Sequence, residues 1–207
     1  MSAVDGLFAS QLFAEPLDAA IDLNPTEVKR ARRSGMYLQA EVASATAIPF
    51  PAGSFASVFS NGVLEHVNAL PAALVEIARV LRQGGHLIAT TSCAHFSELI
   101  SLPSLTNRLF GHVNLMEPEA WATALSSAGL HLIESRCYNP AAAIRAHQWL
   151  LPSSIGATVV RRMTGRWVFS PALRRSFIAP FWARILRPRY ATSAAVGGSI
   201  CWIAEKR

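Results

Sequence analysis

A mostly parallel α/β sheet is the fold class this sequence predicts, and three observations predict it. Between residues 6 and 92, short apolar runs alternate with helical stretches, the order that builds βαβ units. The run "AAIDLNP" ends an apolar strand on a carboxylate, Asp22, at the point where a helix begins. Finally, a chain of 207 residues with 51% hydrophobic content can bury one sizeable core, so residues 1–207 are expected to form a single domain.

Taken in order, "GLFASQLF" reads as a helix and "DAAID" as a strand. Asn24 is placed to cap the next helix, Pro25 fits its first position, and "TEVKRARR" continues it. Asp22 therefore stands where a strand hands over to a helix. In an open parallel sheet this position faces the ligand crevice, where a carboxylate can accept both hydroxyls of a ribose; the plain alternative is a solvated turn residue. "MYLQAEV" and "FASVFSN" are further strands, the second ending on polar Asn61. "PAALVEIARVLRQGG" is an amphipathic helix with Leu74, Ile77, Val80 and Leu81 on one stripe and Gly84 or Gly85 as its stop. "HLIATTS" is the next strand.

After it, residues 93–116 form a long connection to a helix, "EPEAWATALSSAGL", and a strand, "HLIESRCY". Residues 141–190 look mainly helical, broken by Pro152, Pro171, Pro180 and Pro188 into a lid or insertion. "AAVGGSICWIAEKR" closes the chain as a strand with the alternation of a sheet edge. No internal repeat or low-complexity tract interrupts this order.

The bulk numbers narrow the function classes. Mean hydropathy is +0.28, yet no apolar run approaches the roughly 18 residues that span a bilayer, so no transmembrane helix is expected. "MSAVDGLFAS" lacks the basic start and apolar core of a secretory signal. Cys93, Cys137 and Cys201 are widely separated and suggest neither zinc nor a redox dithiol, so reduced thiols and a cytoplasmic location are expected. The net charge of +6 is unevenly spread: residues 1–139 carry 8 Lys or Arg against 12 Asp or Glu, and residues 140–207 carry 11 against 1. A basic segment rich in Trp and Phe suits an anionic surface.

Three segments, "AAIDLNPTEVKRAR", "ATAIPFPAGSFASVFSNGVLEHV" and "EIARVLRQGGHLIAT", in this order and at these separations, resemble the class I S-adenosylmethionine-dependent methyltransferases, in particular the small-molecule and quinone branch. With "EPEAWATALSSAGL" the resemblance covers roughly residues 5–138. It implies a Rossmann-like sheet with helices on both faces, and S-adenosyl-L-methionine as cofactor. Asp22 matches the residue that holds the ribose hydroxyls, and Leu23 the neighbour that packs on the adenine. At Ser44, beside Ala45, the family usually has an Asp that accepts from the adenine amine; Ser44 can accept without the charge. Asn61 and Gly62 match the turn whose backbone approaches the methionine end. Ala56 departs as well, where an Asp commonly follows "SF". Asp5 and Gly6 match the tail of the glycine-rich loop. The rest of that loop and the first strand have no counterpart here, and the expectation is a chain that starts at a downstream methionine relative to its relatives.

Methyl transfer from a sulfonium needs positioning, exclusion of water and, where the nucleophile must lose a proton, a base. His66 in "LEHV" is the candidate, since it follows the fourth family strand at the crevice rim; the competing reading is a residue that merely packs the short helix there. His95 and His112 flank the long connection and offer no spacing that suggests a shared metal, so no metal site is expected. Glu65 fits a helix N-terminus without catalytic purpose. Residues 141–190 mix Trp149, Trp167, Phe169, Phe177, Phe181 and Trp182 with nine Arg, which suits a peripheral contact with an anionic membrane or a cap over a lipophilic acceptor; an ordinary lid is the alternative. Two further classes stand beside the enzyme. One is a methyltransferase-like binding protein without activity. The other, a nucleic-acid methyltransferase, is disfavoured because "SNGVLEHV" replaces the Asn-Pro-Pro-aromatic turn.

Overall fold

The end of the third helical stretch shows how this sequence folds. In the computed structural model, which describes residues 9–148, 184 and 197–207, the helix runs only from Leu70 to Val80. Leu81 already pairs with Phe55, so the chain passes directly from helix to strand. Gly84 and Gly85, expected to stop the helix, lie instead in an irregular stretch of the strand, because Ser57 next pairs with His86. The bulge gives those glycines their work: Gly84 has φ +70°, and a Cβ on Gly85 would come within 2.8 Å of the Arg82 carbonyl oxygen.

The strands are β1 (Leu17–Asp22), β2 (Tyr37–Val42), β3 (Phe55–Asn61), β4 (Leu81–Ser92), β5 (Leu130–Tyr138) and β6 (Ser199–Lys206). The helices are α1 (Ala9–Leu12), α2 (Pro25–Ser34), α3 (Leu70–Val80), α4 (Ala94–Leu99), α5 (Pro103–Phe110), α6 (Pro118–Ser127) and α7 (Ala141–Gln148). A 3₁₀ turn covers Leu64–His66. The strands form a parallel pair, β1–β2, and a four-stranded sheet in the order β3–β4–β6–β5, with β3 parallel to β4. β6 is thus an interior strand, not the expected edge. Ile200, Trp202 and Ala204 are each no more than 1% exposed, as an interior strand requires. The long connection after β4 is also not structureless, since it carries α4 and α5.

Each sheet has its own apolar packing. α2 is capped as expected, the Asn24 side chain accepting from the Thr26 N–H at 2.9 Å, with Pro25 at the first turn. It places Val28 and Ala31 against Ala20 and Ala40 of β1 and β2. In the larger sheet, Leu74, Ile77 and Val80 of α3 are buried, as is the Leu81–Leu87–Ala89 face of β4. Trp121 of α6 meets Trp202 of β6 with ring centroids 5.4 Å apart, and both are 1% exposed. Contacts divide the chain into two units, one comprising Met1–Ser92, Gly111–Arg136 and Ile200–Arg207, the other Cys93–Phe110 and Cys137–Ser199. The second contains α4, α5 and α7, and in it the Cys93 thiol donates to the Gly197 carbonyl. Most of residues 141–190, with the lid expected there, lies outside the described residues, as do Asp5 and Gly6. Among the described residues no helix is long and apolar enough to cross a membrane.

One polar network ties the turn before β3 to α3. Arg79 binds both oxygens of Glu76, at 2.6 and 2.8 Å, and donates to the Ile48 and Phe50 carbonyls at 2.8 Å, while the Ile48 N–H donates to Glu76. The Arg79 hydrogen bonds and that N–H hold the Glu76 carboxyl down to about 2. A carboxyl lowered on folding stabilises the protein above its unfolded value of 4.5 and loses that contribution as pH falls toward about 2. The urea midpoint is therefore expected to drop through this window, and Glu76→Gln should flatten the drop while lowering the midpoint at neutral pH; a midpoint profile identical to the wild type would refute the assignment.

Candidate functional site

Among the described residues expected at the site, Asp22 and Asn61 each close a parallel strand, and Ser44 and Gly62 follow one. Asp22 closes β1, pairs with Val42 of β2, and accepts the Asn24 N–H on Oδ1 at 2.7 Å, which orients the carboxylate at the strand-to-helix turn. Leu23, next in the turn, is 72% exposed, an apolar surface available to a flat ligand. The Ala43 N–H donates to the Asp22 carbonyl, which carries the chain from β2 into the turn Ser44–Ala47 on the same side. Ser44 Oγ bonds Thr46 Oγ1 at 2.8 Å and accepts the Thr46 N–H at 3.1 Å. That hydroxyl is thus largely engaged by its own turn, and Ala45, within it, can offer only backbone and a methyl group. Where the resemblance leads one to expect an Asp, this chain has a folded-back hydroxyl.

Asn61 and Gly62 close β3. The Thr90 hydroxyl donates to the Asn61 side-chain oxygen, and the Gly62 N–H donates to the Thr90 carbonyl at 2.9 Å. Gly62 has φ +61°, so glycine is the residue this turn requires. Thr90 is a partner that sequence reasoning missed, because only the register of β3 on β4 brings it opposite Asn61.

His66 sits in the 3₁₀ turn just beyond, and the residues around it were the least foreseen. Its Nδ1 lies 3.0 Å from the Gly111 carbonyl; an oxygen that can only accept makes Nδ1 the donor and leaves the Nε2 lone pair outward. His112, read from sequence as a loop residue, stacks on His66 with centroids 5.1 Å apart and planes 26° apart. Burial, and then the neighbouring His66, push His112 down to about 4, so it stays neutral near pH 7. Backbone pairing makes this contact across 46 positions: the Val113 and Asn114 N–H groups donate to the Glu65 carbonyl at 2.8 and 3.0 Å. The Asn114 side chain adds bonds to the Leu64 and Val67 carbonyls. Glu65, ambiguous from sequence because a helix N-terminus favours a carboxylate anyway, is 3% exposed and accepts the Ser92 N–H on Oε1 at 3.0 Å. His95 lies 3.7 Å from Glu98 on α4.

Comparison with known proteins bears on the family and the fold. Residues 5–89 match a family model described as a methyltransferase domain. Over 75 residues the chain is 37% identical to the malonyl-acyl-carrier-protein O-methyltransferase of Halorhodospira halophila (strain DSM 244 / SL1), a match covering 35% of this chain and 25% of that protein. The matched stretch thus spans about a quarter of that relative's length. Among solved structures, the cyclase SpnF has a TM-score of 0.62 at 16% identity, covering 98% of this chain and 71% of that one. Geranyl diphosphate methyltransferase in complex with SAM has a TM-score of 0.60 at 16% identity, covering 97% and 73%. Geranyl diphosphate C-methyltransferase from Streptomyces coelicolor A3(2) has a TM-score of 0.60 at 14% identity, covering 100% and 69%. At such identities the likeness concerns the fold alone. A cyclase shares it, so the reaction has to be argued from residues.

Proposed function

We propose that this protein is an S-adenosyl-L-methionine-dependent methyltransferase acting on a small, lipophilic acceptor. The observation that carries the reading is Asp22, a carboxylate oriented at the end of a parallel strand inside the segment that matches a methyltransferase domain. The donor set suits an adenosyl group: Oδ2 of Asp22 remains to accept a ribose hydroxyl, Leu23 offers a flat apolar surface, and the Ser44–Ala45 turn lies on the same strand ends. Asn61 and Gly62 present backbone at the end of β3 for the methionine portion; Asp5 and Gly6, expected to bind it as well, lie outside the described residues.

S-Adenosyl-L-methionine, when bound, supplies a methyl group already activated on a sulfonium. The chain's own contribution is to hold the adenosyl end at Asp22 and to keep water from the reacting centre. Where the acceptor must lose a proton, Nε2 of His66 takes it, since the Gly111 carbonyl fixes the ring with that nitrogen outward. His66→Ala is expected to lower turnover by more than about tenfold, with S-adenosylhomocysteine affinity unchanged. Equal turnover by the variant would remove the base role.

A small lipophilic acceptor is supported by the aromatic and arginine-rich composition of residues 141–190 and by the geranyl diphosphate named for two of the similar structures. Calorimetric titration with S-adenosylhomocysteine tests the cofactor reading: micromolar binding supports it, and no heat from a folded protein overturns it.

A further inference from the structure

Among the described residues, one buried carboxylate has incomplete bonding. Glu65 is 3% exposed, and its Oε2 has no hydrogen-bond partner among the described residues, whereas Oε1 is used by the Ser92 N–H. Leaving a buried carboxylate oxygen bare is costly, and a cation beside it is the usual remedy. The groups that could hold one are already assembled. One ligand atom from each of Glu65, His66 and His112 lies within 4.8 Å of the other two.

We infer that Glu65, His66 and His112 bind one divalent transition-metal ion of the zinc class, leaving a coordination position open to an oxygen donor. Two imidazoles and one carboxylate suit zinc or its neighbours, whereas magnesium and calcium prefer oxygen alone. Ligand atoms sit about 2.0–2.2 Å from zinc, so each of the three needs to close inward by less than about 1 Å. The support a ligand requires is in place. The Gly111 carbonyl holds Nδ1 of His66 and turns Nε2 outward, the arrangement found behind metal-bound histidines. His112 rides on a loop whose next two N–H groups are fixed to the Glu65 carbonyl, so carboxylate and imidazole move as one body. Both histidines are only half-buried, which gives an ion its entry.

The site does not depend on the methyltransferase reading, although the two meet at one atom. An ion on Nε2 of His66 prevents that nitrogen from accepting a proton, so zinc is expected to inhibit turnover wherever His66 serves as base.

The test uses the full chain without an affinity tag, stripped by chelator and titrated with Zn²⁺ by calorimetry, with bound metal counted after dialysis. One equivalent is expected, with affinity reduced at least about tenfold in Glu65→Gln and in His112→Ala, and with Mg²⁺ failing to compete. The Co²⁺ form should lack the intense near-ultraviolet band that thiolate ligands produce. No stoichiometric binding, unchanged affinity in folded variants, competition by Mg²⁺, or a thiolate band from Cys93, Cys137 or Cys201 overturns the proposal. Should either variant fail to fold, X-ray absorption of the zinc-loaded wild type decides: a shell of nitrogen and oxygen supports the site, and a sulfur shell refutes it.

Discussion

Asp22→Ala is expected to weaken S-adenosylhomocysteine binding by at least about 30-fold while leaving the melting temperature nearly unchanged. Hydrogen bonds from a ligand to a charged group contribute about 1.5–3 kcal/mol, and 2 kcal/mol corresponds to roughly 30-fold. The structural cost of the change is small. In the free protein the carboxylate has one recorded partner, the Asn24 N–H, at an exposed turn, and α2 keeps its own cap because Asn24, not Asp22, accepts from Thr26. Asp22→Asn sharpens the test, since the amide preserves shape and one acceptor but loses the charge, and should fall between the two. Calorimetry and thermal unfolding read both quantities from the same samples. Equal affinity in wild type and Asp22→Ala would remove the residue on which the cofactor reading stands.

Trp202→Ala is expected to cost about 3–5 kcal/mol of stability, the range for truncating a buried aromatic side chain. Trp202 is 1% exposed on an interior strand, and its ring meets Trp121 of α6, also 1% exposed and held in its own packing, so truncation leaves a cavity. For a chain of this length that corresponds to a melting temperature lower by about 10 °C. The indole nitrogens of both rings lack a hydrogen-bond partner among the described residues. Trp202→Phe therefore removes an unsatisfied polar atom along with some contact area, and its loss should stay below about 1.5 kcal/mol. Urea unfolding compares the two. A Phe variant as damaged as the Ala variant would show that the indole nitrogen has a partner after all.

What the sequence made legible was local. Asn24–Pro25 announced the start of α2, and short apolar runs announced the strands, because caps and apolar runs act over a few residues. Three features needed the fold. The interior place of β6 depends on which strands pair, and alternation reads the same at an edge and inside. The end of α3 at Val80 was hidden because Leu81 continues the helical stripe and the following glycines mimic a stop; long-range pairing with Phe55 prevailed over local signal. The stack of His66 on His112 joins residues 46 positions apart through backbone bonds that leave no trace in spacing. The place of Asp22 at a strand end was legible from its neighbours alone, whereas the burial of Glu65 could be seen only once β4 and the loop after α5 had closed around it.

The irregular stretch at the start of β4 has a consequence for how the gene can vary. From Leu81 to His86 the strand advances five residues while its partner advances two, so three extra residues are absorbed there. Beyond it, every second side chain of β4 is buried, from Leu87 through Thr91. Because side chains alternate strictly, losing one codon among 82–85 would, if the pairing simply slid, turn that whole row outward, whereas losing two would keep its phase. Insertions and deletions at this point should thus be tolerated in even steps, a parity rule that a library of length variants would reveal as alternating soluble and insoluble products.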